Sequence, residues 1–151
     1  MPHFTLNITQ QGPMLNAFIG VSLERRSALT LAKLEIPQPV PILALIDTGA
    51  SATCVDPSVM RSLKVTPTGK VPIHTPSTKN DPVEHDQYDI GLFLFVPATI
   101  QTQPPLAFHT LPIICAELFV SQGFQVLIGR DVLSQCIFSY NGTAGHFTLA
   151  Y

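Results

Sequence analysis

Ala44-Leu45-Ile46-Asp47-Thr48-Gly49-Ala50-Ser51 is the stretch on which the reading of this chain turns. It completes a continuous apolar run, Ile42-Leu43-Ala44-Leu45-Ile46. A run this short, with Pro41 before it and a Gly-containing turn after it, predicts a strand buried on both faces. Such a strand delivers one carboxylate, Asp47, to a tight turn. Gly49 allows close backbone approach there, and the Thr48 hydroxyl is able to hydrogen-bond across a contact. Two readings of Asp47 are open at this point: a reactive carboxylate, or a turn residue whose side chain caps its own loop.

A second segment bears on that choice. Val126-Leu127-Ile128-Gly129-Arg130-Asp131-Val132-Leu133 begins 79 residues after Asp47 (126 minus 47) and reads as an apolar strand, a Gly and a short helix. Together, ALIDTGAS and VLIGRDVL resemble the two signatures of the retropepsins, the retroviral-type aspartic peptidases and their cellular and bacterial relatives. The resemblance runs from Leu43 to the C-terminus and includes Gln87-Tyr88-Asp89. Thr75-Pro76-Ser77 and Tyr140-Asn141-Gly142 make it look most like the single-domain bacterial members.

The resemblance implies a mostly-β fold, a closed barrel with one or two short helices, assembled as a two-fold homodimer. It implies that Asp47 is catalytic and that Thr48 locks two loops together across the dimer. Gly49, Ala50 and Ser51 would complete the active-site loop, with Gly49 helping to hold substrate backbone. Leu45, the flap residues Thr75, Pro76 and Ser77, and the loop Val126, Leu127 and Ile128 would contact substrate. Arg130 and Asp131 would be structural. The N-terminal strand and the tail hairpin would interlace with those of the partner.

The chemistry asks for two copies independently. Amide hydrolysis by this route uses two carboxylates that share a proton, one acting as base on a water and the other as acid on the carbonyl. Like charges about 3 Å apart cannot both ionise, so the titrations belong to the pair. The chain has a single Asp-Thr-Gly, at Asp47, and no Asp-Ser-Gly. One motif in 151 residues therefore calls for a second subunit.

Three departures from the family pattern carry expectations. Ser51 stands where retroviral enzymes usually have an acid paired with the Arg matching Arg130, so Arg130 should meet Asp131, Asp56 or backbone carbonyls instead. Asp131 reads as a helix N-cap. The presumed flap tip, residues 75–82, is polar with two prolines rather than glycine-rich. Ala50 replaces the Ser usual in pepsin-like sites, whose hydroxyl favours a charged carboxylate. A mildly acidic optimum, less acidic than pepsin's, is expected.

Composition bounds the alternatives. Hydrophobic residues make up 46% and charged residues 12%, which excludes a disordered chain. A formal net charge of -2 with no Lys/Arg run leaves no nucleic-acid footprint. No apolar run is long enough to span a bilayer, and the first ten residues do not read as a signal peptide. Cys54, Cys115 and Cys136 show neither metal-ligand spacing nor an even disulfide set, so a reducing, cytoplasmic compartment is expected. The five histidines show no metal spacing, and no cofactor motif is present. Ser51, Ser77 and Cys54 have no predictable base partner and are set aside as nucleophiles.

Along the chain, strands are expected at 4–8, 14–21, 42–46, 52–55, 70–74, 84–95, 106–114, 124–128, 136–140 and 146–151. Helices are expected at 23–34, at 57–63 with Asp56 as N-cap and Pro57 at its first position, and at 132–135. Asn141-Gly142 signals the hairpin turn of the tail. With no repeat and no linker, residues 1–151 read as one domain. The leading function is an endopeptidase that binds an extended, apolar-rich peptide as an added strand. The alternative is a catalytically silent dimerisation or peptide-binding module on the same fold.

Overall fold

The computed structural model describes residues 1–74, 81–94, 104–117 and 123–151. Its strands are β1 (His3–Asn7), β2 (Met14–Val21), β3 (Val40–Ile46), β4 (Cys54–Val55), β5 (Gly69–Ile73), β6 (Val83–Leu94), β7 (Leu106–Cys115), β8 (Val126–Ile128), β9 (Ile137–Asn141) and β10 (His146–Ala150). Three short helices join them: α1 (Leu23–Leu31), α2 (Pro57–Leu63) and α3 (Arg130–Leu133).

Six strands form a closed ring in the order β2-β3-β8-β4-β7-β6, which shuts where β6 pairs back onto β2. The ring mixes directions, because β8 runs parallel to β3 and antiparallel to β4, while β4 runs parallel to β7. The long strand β6 pairs with β7 along one edge and serves two partners in turn along the other. Its first half, with mostly exposed or half-exposed side chains, pairs with β5 outside the ring. Its second half is buried and closes against β2. The change falls at Gly91, where the β6–β7 register slips between Ile90 and Leu92. A side chain on Gly91 would meet the Val21 carbonyl at 3.2 Å, so glycine lets the strand bend tightly into the closure.

The ring's interior is filled from every wall by Leu15, Ile19, Ala44, Ile90, Leu92, Ile113, Val126 and Ile128, all nearly or fully buried. Helix α2 lays Val59, Met60 and Leu63 against this core. Its start matches expectation, with Asp56 accepting from the Ser58 N–H and Pro57 in the first turn. A separate three-stranded sheet, β1-β10-β9, carries both chain ends and contributes Phe4, Phe147 and Leu149 to the same core.

Three expectations need correction. The strand before Asp47 is not buried on both faces. Ile42, Ala44 and Ile46 are buried, but Leu43 and Leu45 alternate with them on a half-exposed face. Helix α1 stops at Leu31 rather than residue 34, because Lys33 takes a left-handed conformation (φ 55°) that ends the helical ladder before the prolines are reached. The third helix begins at Arg130, not 132, with Gly129 in the N-cap position and no side-chain cap.

Candidate active site

Asp47 is the first residue beyond the end of β3. Ile46 pairs with Ile128 in the parallel β3–β8 ladder, and the Asp47 N–H donates to the Ile128 carbonyl at 3.0 Å. The chain then turns, with the Ala50 N–H donating to the Asp47 carbonyl at 3.2 Å. Within this turn the Gly49 N–H donates to Asp47 Oδ1 at 2.8 Å. Among the described residues, no group donates to Oδ2. The carboxylate is therefore oriented through one oxygen, while the other stays open on a half-buried residue. Thr48, Gly49 and Ser51 are exposed and Ala50 is half-buried. The Thr48 hydroxyl makes no hydrogen bond among the described residues.

The turn is clamped from the β8–α3 corner. Arg130 Nη1 donates to the carbonyls of Thr48 (3.1 Å) and Gly49 (3.4 Å), and the Arg130 N–H donates to the Ala50 carbonyl at 3.0 Å. Of the partners expected for Arg130, the backbone carbonyls are the ones it meets. Asp131 is not the N-cap that the sequence suggested. It lies inside the first turn of α3, and its carboxylate reaches across to Thr53, accepting from the Thr53 N–H at 2.8 Å and the Thr53 hydroxyl at 2.7 Å. It also accepts from the Val132 N–H at 2.9 Å. The Thr53 hydroxyl in turn accepts from the Gly129 N–H at 3.1 Å.

Gly129 makes this crossing possible. A Cβ there would lie 2.6 Å from the Ala52 carbonyl oxygen and 2.5 Å from its carbon, closer than any side chain tolerates. Thr53 is buried, and its role had no signal in the sequence, because its partner lies 78 residues away. Hydrogen bonds to charged groups contribute about 1.5–3 kcal/mol each. The Asp131–Thr53 and Arg130–carbonyl contacts thus hold the Asp47 loop against the end of β8 from both sides.

A cavity of about 940 Å³ is walled by Cys54, Leu127, Ala116, Met60 and Tyr88, with Arg61, Lys70, Glu84 and Asp86 also lining it; none of Asp47 to Ser51 lines it, and Cys54 and Leu127 are its nearest approach in sequence to the loop and its β8 support. Of the three β8 residues expected to face substrate, only Leu127 reaches it. Val126 and Ile128 point the other way by strand alternation and are buried in the core. Leu45 packs towards Gly12 instead of lining the cavity. Thr75, Pro76 and Ser77 lie outside the described residues. Burial, together with the negative charges of Asp131 and Asp47, pushes the Cys54 thiol from 9.0 up to about 11. Burial likewise raises Cys115 on the same wall. Neither thiol is activated as a nucleophile. Among the described residues, no cluster of His, Cys, Asp or Glu is arranged to hold a metal ion, and no helix is long and apolar enough to cross a membrane.

This arrangement is the fold of a retropepsin-like aspartic protease. The chain superposes on a retropepsin-like aspartic protease from Rickettsia conorii with a TM-score of 0.59 at 14% identity, covering 99% of this chain and 91% of that one. A looser likeness, to the foamy viral protease-reverse transcriptase in complex with an RNA/DNA hybrid, has a TM-score of 0.45 at 13% identity and covers 82% of this chain and 12% of that one. No protein-family model matches the chain, and no curated protein matches it either.

Proposed function

We infer that the chain is an aspartic endopeptidase of the retropepsin type, one domain per protomer, whose active site forms when two copies bring their Asp47 side chains together. The observation that carries this reading is the state of the Asp47 carboxylate. One oxygen is fixed by the Gly49 N–H, the other has no donor among the described residues, and the loop is clamped by Arg130.

In the dimer, a water sits between the two carboxylates. The ionised one takes a proton from the water as it attacks the scissile carbonyl carbon. The protonated one hydrogen-bonds the carbonyl oxygen and stabilises the charge that develops there. Collapse of the tetrahedral intermediate returns a proton to the leaving amine. The unbonded Thr48 hydroxyl is free to contact the partner's loop, as the resemblance implies. Leu127, Cys54 and Ala116 offer an apolar wall to one substrate side chain, which supports a preference for apolar residues there. The three free cysteines support a reducing, cytoplasmic setting.

One observation favours the silent-module reading: the Asp47–Gly49 hydrogen bond is also what a turn-capping aspartate makes. Asp47→Asn separates the two. The amide keeps an acceptor for the Gly49 N–H, so the turn and the melting temperature should be retained. Peptidase activity should fall roughly 1,000-fold or more, and binding of the transition-state analogue pepstatin should be lost. Activity unchanged by this substitution would place the chemistry elsewhere.

A further inference from the structure

Strand β6 carries its interior-facing row beyond the ring. Ile90, Leu92 and Leu94 are fully buried inside the ring. The same alternation, followed towards the start of the strand, gives Tyr88, Asp86 and Glu84. The row turns from apolar to acidic where β6 leaves the ring and pairs with β5. All three residues line the cavity of about 940 Å³. Asp86 and Tyr88 are half-buried, and among the described residues neither side chain makes a hydrogen bond or an ion pair. A carboxylate held in such a cavity is destabilised unless an occupant supplies a donor.

We propose that Asp86 and Tyr88 form a specificity site for a basic side chain, lysine or arginine, of an extended peptide substrate. This rests on the aspartic-peptidase reading, in which the peptide passes Asp47. Three observations support it. First, a carboxylate and an aromatic ring two residues apart on one strand face offer an ion pair and a cation–π contact to the same head group. Second, the cavity leads from this pair towards the Asp47 loop. Its other wall includes Cys54 and Leu127, which oppose each other in the β4–β8 ladder, and Leu127 precedes Ile128, whose carbonyl holds the Asp47 N–H. Ile114 of β7 stands opposite both Cys54 and Gln87. Asp86 therefore lies two strand spacings, roughly 10 Å, from Cys54, a reach of about three residues of extended peptide. Third, the Asp86 charge is felt deep in the cavity. Burial raises the Cys115 thiol and Asp86 raises it next. Burial also raises the Tyr88 phenol, with smaller contributions from Cys115 and Asp86. Arg61, Lys64 and Lys70 line the cavity too, as does Glu117, but the three cations are exposed and their long stems let the charged heads stay in water. Lys70 stands directly opposite Asp86 in the β5–β6 ladder and yet makes no ion pair with it, so it is the rival that a substrate cation displaces.

Binding is measured first, because it does not depend on cleavage. Immobilised Asp47→Asn protein is offered a randomised library of end-blocked octapeptides, and the bound fraction is sequenced by mass spectrometry. Lysine and arginine should be enriched roughly 10-fold over leucine. The enrichment should vanish when Asp86→Asn is added. Asp86→Lys should reverse it in favour of glutamate, a gain that misfolding does not produce, and Lys70→Gln should strengthen it. When wild-type protein cleaves the same library, lysine or arginine should recur at one position a few residues from the cut. A bound fraction without basic enrichment, an enrichment that survives Asp86→Asn, or no bound peptide at all overturns the specificity site, and Asp47-dependent cleavage by wild type then leaves the peptidase standing. An Asp86-dependent enrichment in a protein whose wild type cleaves no library peptide keeps the site as a peptide-binding one and overturns the reading beneath it.

Discussion

The Asp47 corner and the β9 edge contrast in how far one chain completes them. At the corner, the groups that make the crossing are matched within the protomer, while Asp47 Oδ2 and the Thr48 hydroxyl have no partner among the described residues. Arg130 takes the carbonyls of the turn, Asp131 takes both donors of Thr53, and Gly129 leaves no room for a side chain. At β9, a row of core-facing aromatic residues ends in the open at Tyr140. The difference separates two tasks. On the aspartic-peptidase reading, the Asp47 loop has to be held in place before substrate arrives, and its supports lie within one chain. On the same reading, assembly calls for surface that a second copy would cover, and the cover of the β9 edge is incomplete in one chain.

Substitutions should break this contrast in a definite order. Gly129→Ala drives a Cβ into the Ala52 carbonyl and should cost about 3 kcal/mol or more in urea unfolding, with activity falling alongside. A cost below 1 kcal/mol would mean that the crossing is looser than described. The Cys54 wall should respond to pH. The folded thiol sits at about 11 against an ordinary 9.0, so its neutral form is favoured by folding. That stabilisation is complete below pH 9 and is lost as pH rises from 9 towards 11, where the unfolded chain ionises first. At pH 8, alkylation of Cys54 in the native protein should be roughly 100-fold slower than in the unfolded chain, measured by mass spectrometry. Equal rates would contradict the buried setting. The smallest effect belongs to β9. Ile137→Thr alters a 59% exposed residue on an edge strand and should change the unfolding free energy of dilute protein by no more than about 0.5 kcal/mol.

How much of this was legible in the sequence follows the range of each interaction. Helix α2 was readable to the residue, because its cap, Asp56, and its opening Pro57 are local signals. The strand leading to Asp47 was readable from its short apolar run and flanks, though not its half-exposed face, and the tail hairpin from its alternation and Asn-Gly, although the left-handed turn residue is Gly145 rather than Gly142, and Asn141 acts by accepting from the Ala144 N–H. The closure of β6 onto β2 and the insertion of β8 between β3 and β4 were not readable, since alternation says that a strand exists and not which strand it joins. For the same reason Asp131 passed for a helix cap, and Val126 and Ile128 passed for pocket residues. Thr53 and the strand face that decide those roles are set by the fold.

The central claim is that each active site takes one Asp47 from each of two protomers. Mixing wild-type protein with an equal amount of the Asp47→Asn variant, under conditions where subunits exchange, tests it directly. A shared site predicts that the mixture retains about a quarter of the activity of the same total amount of wild type, because only randomly formed wild-type pairs are active. Half the activity would show that each protomer carries a complete site of its own and would contradict the account.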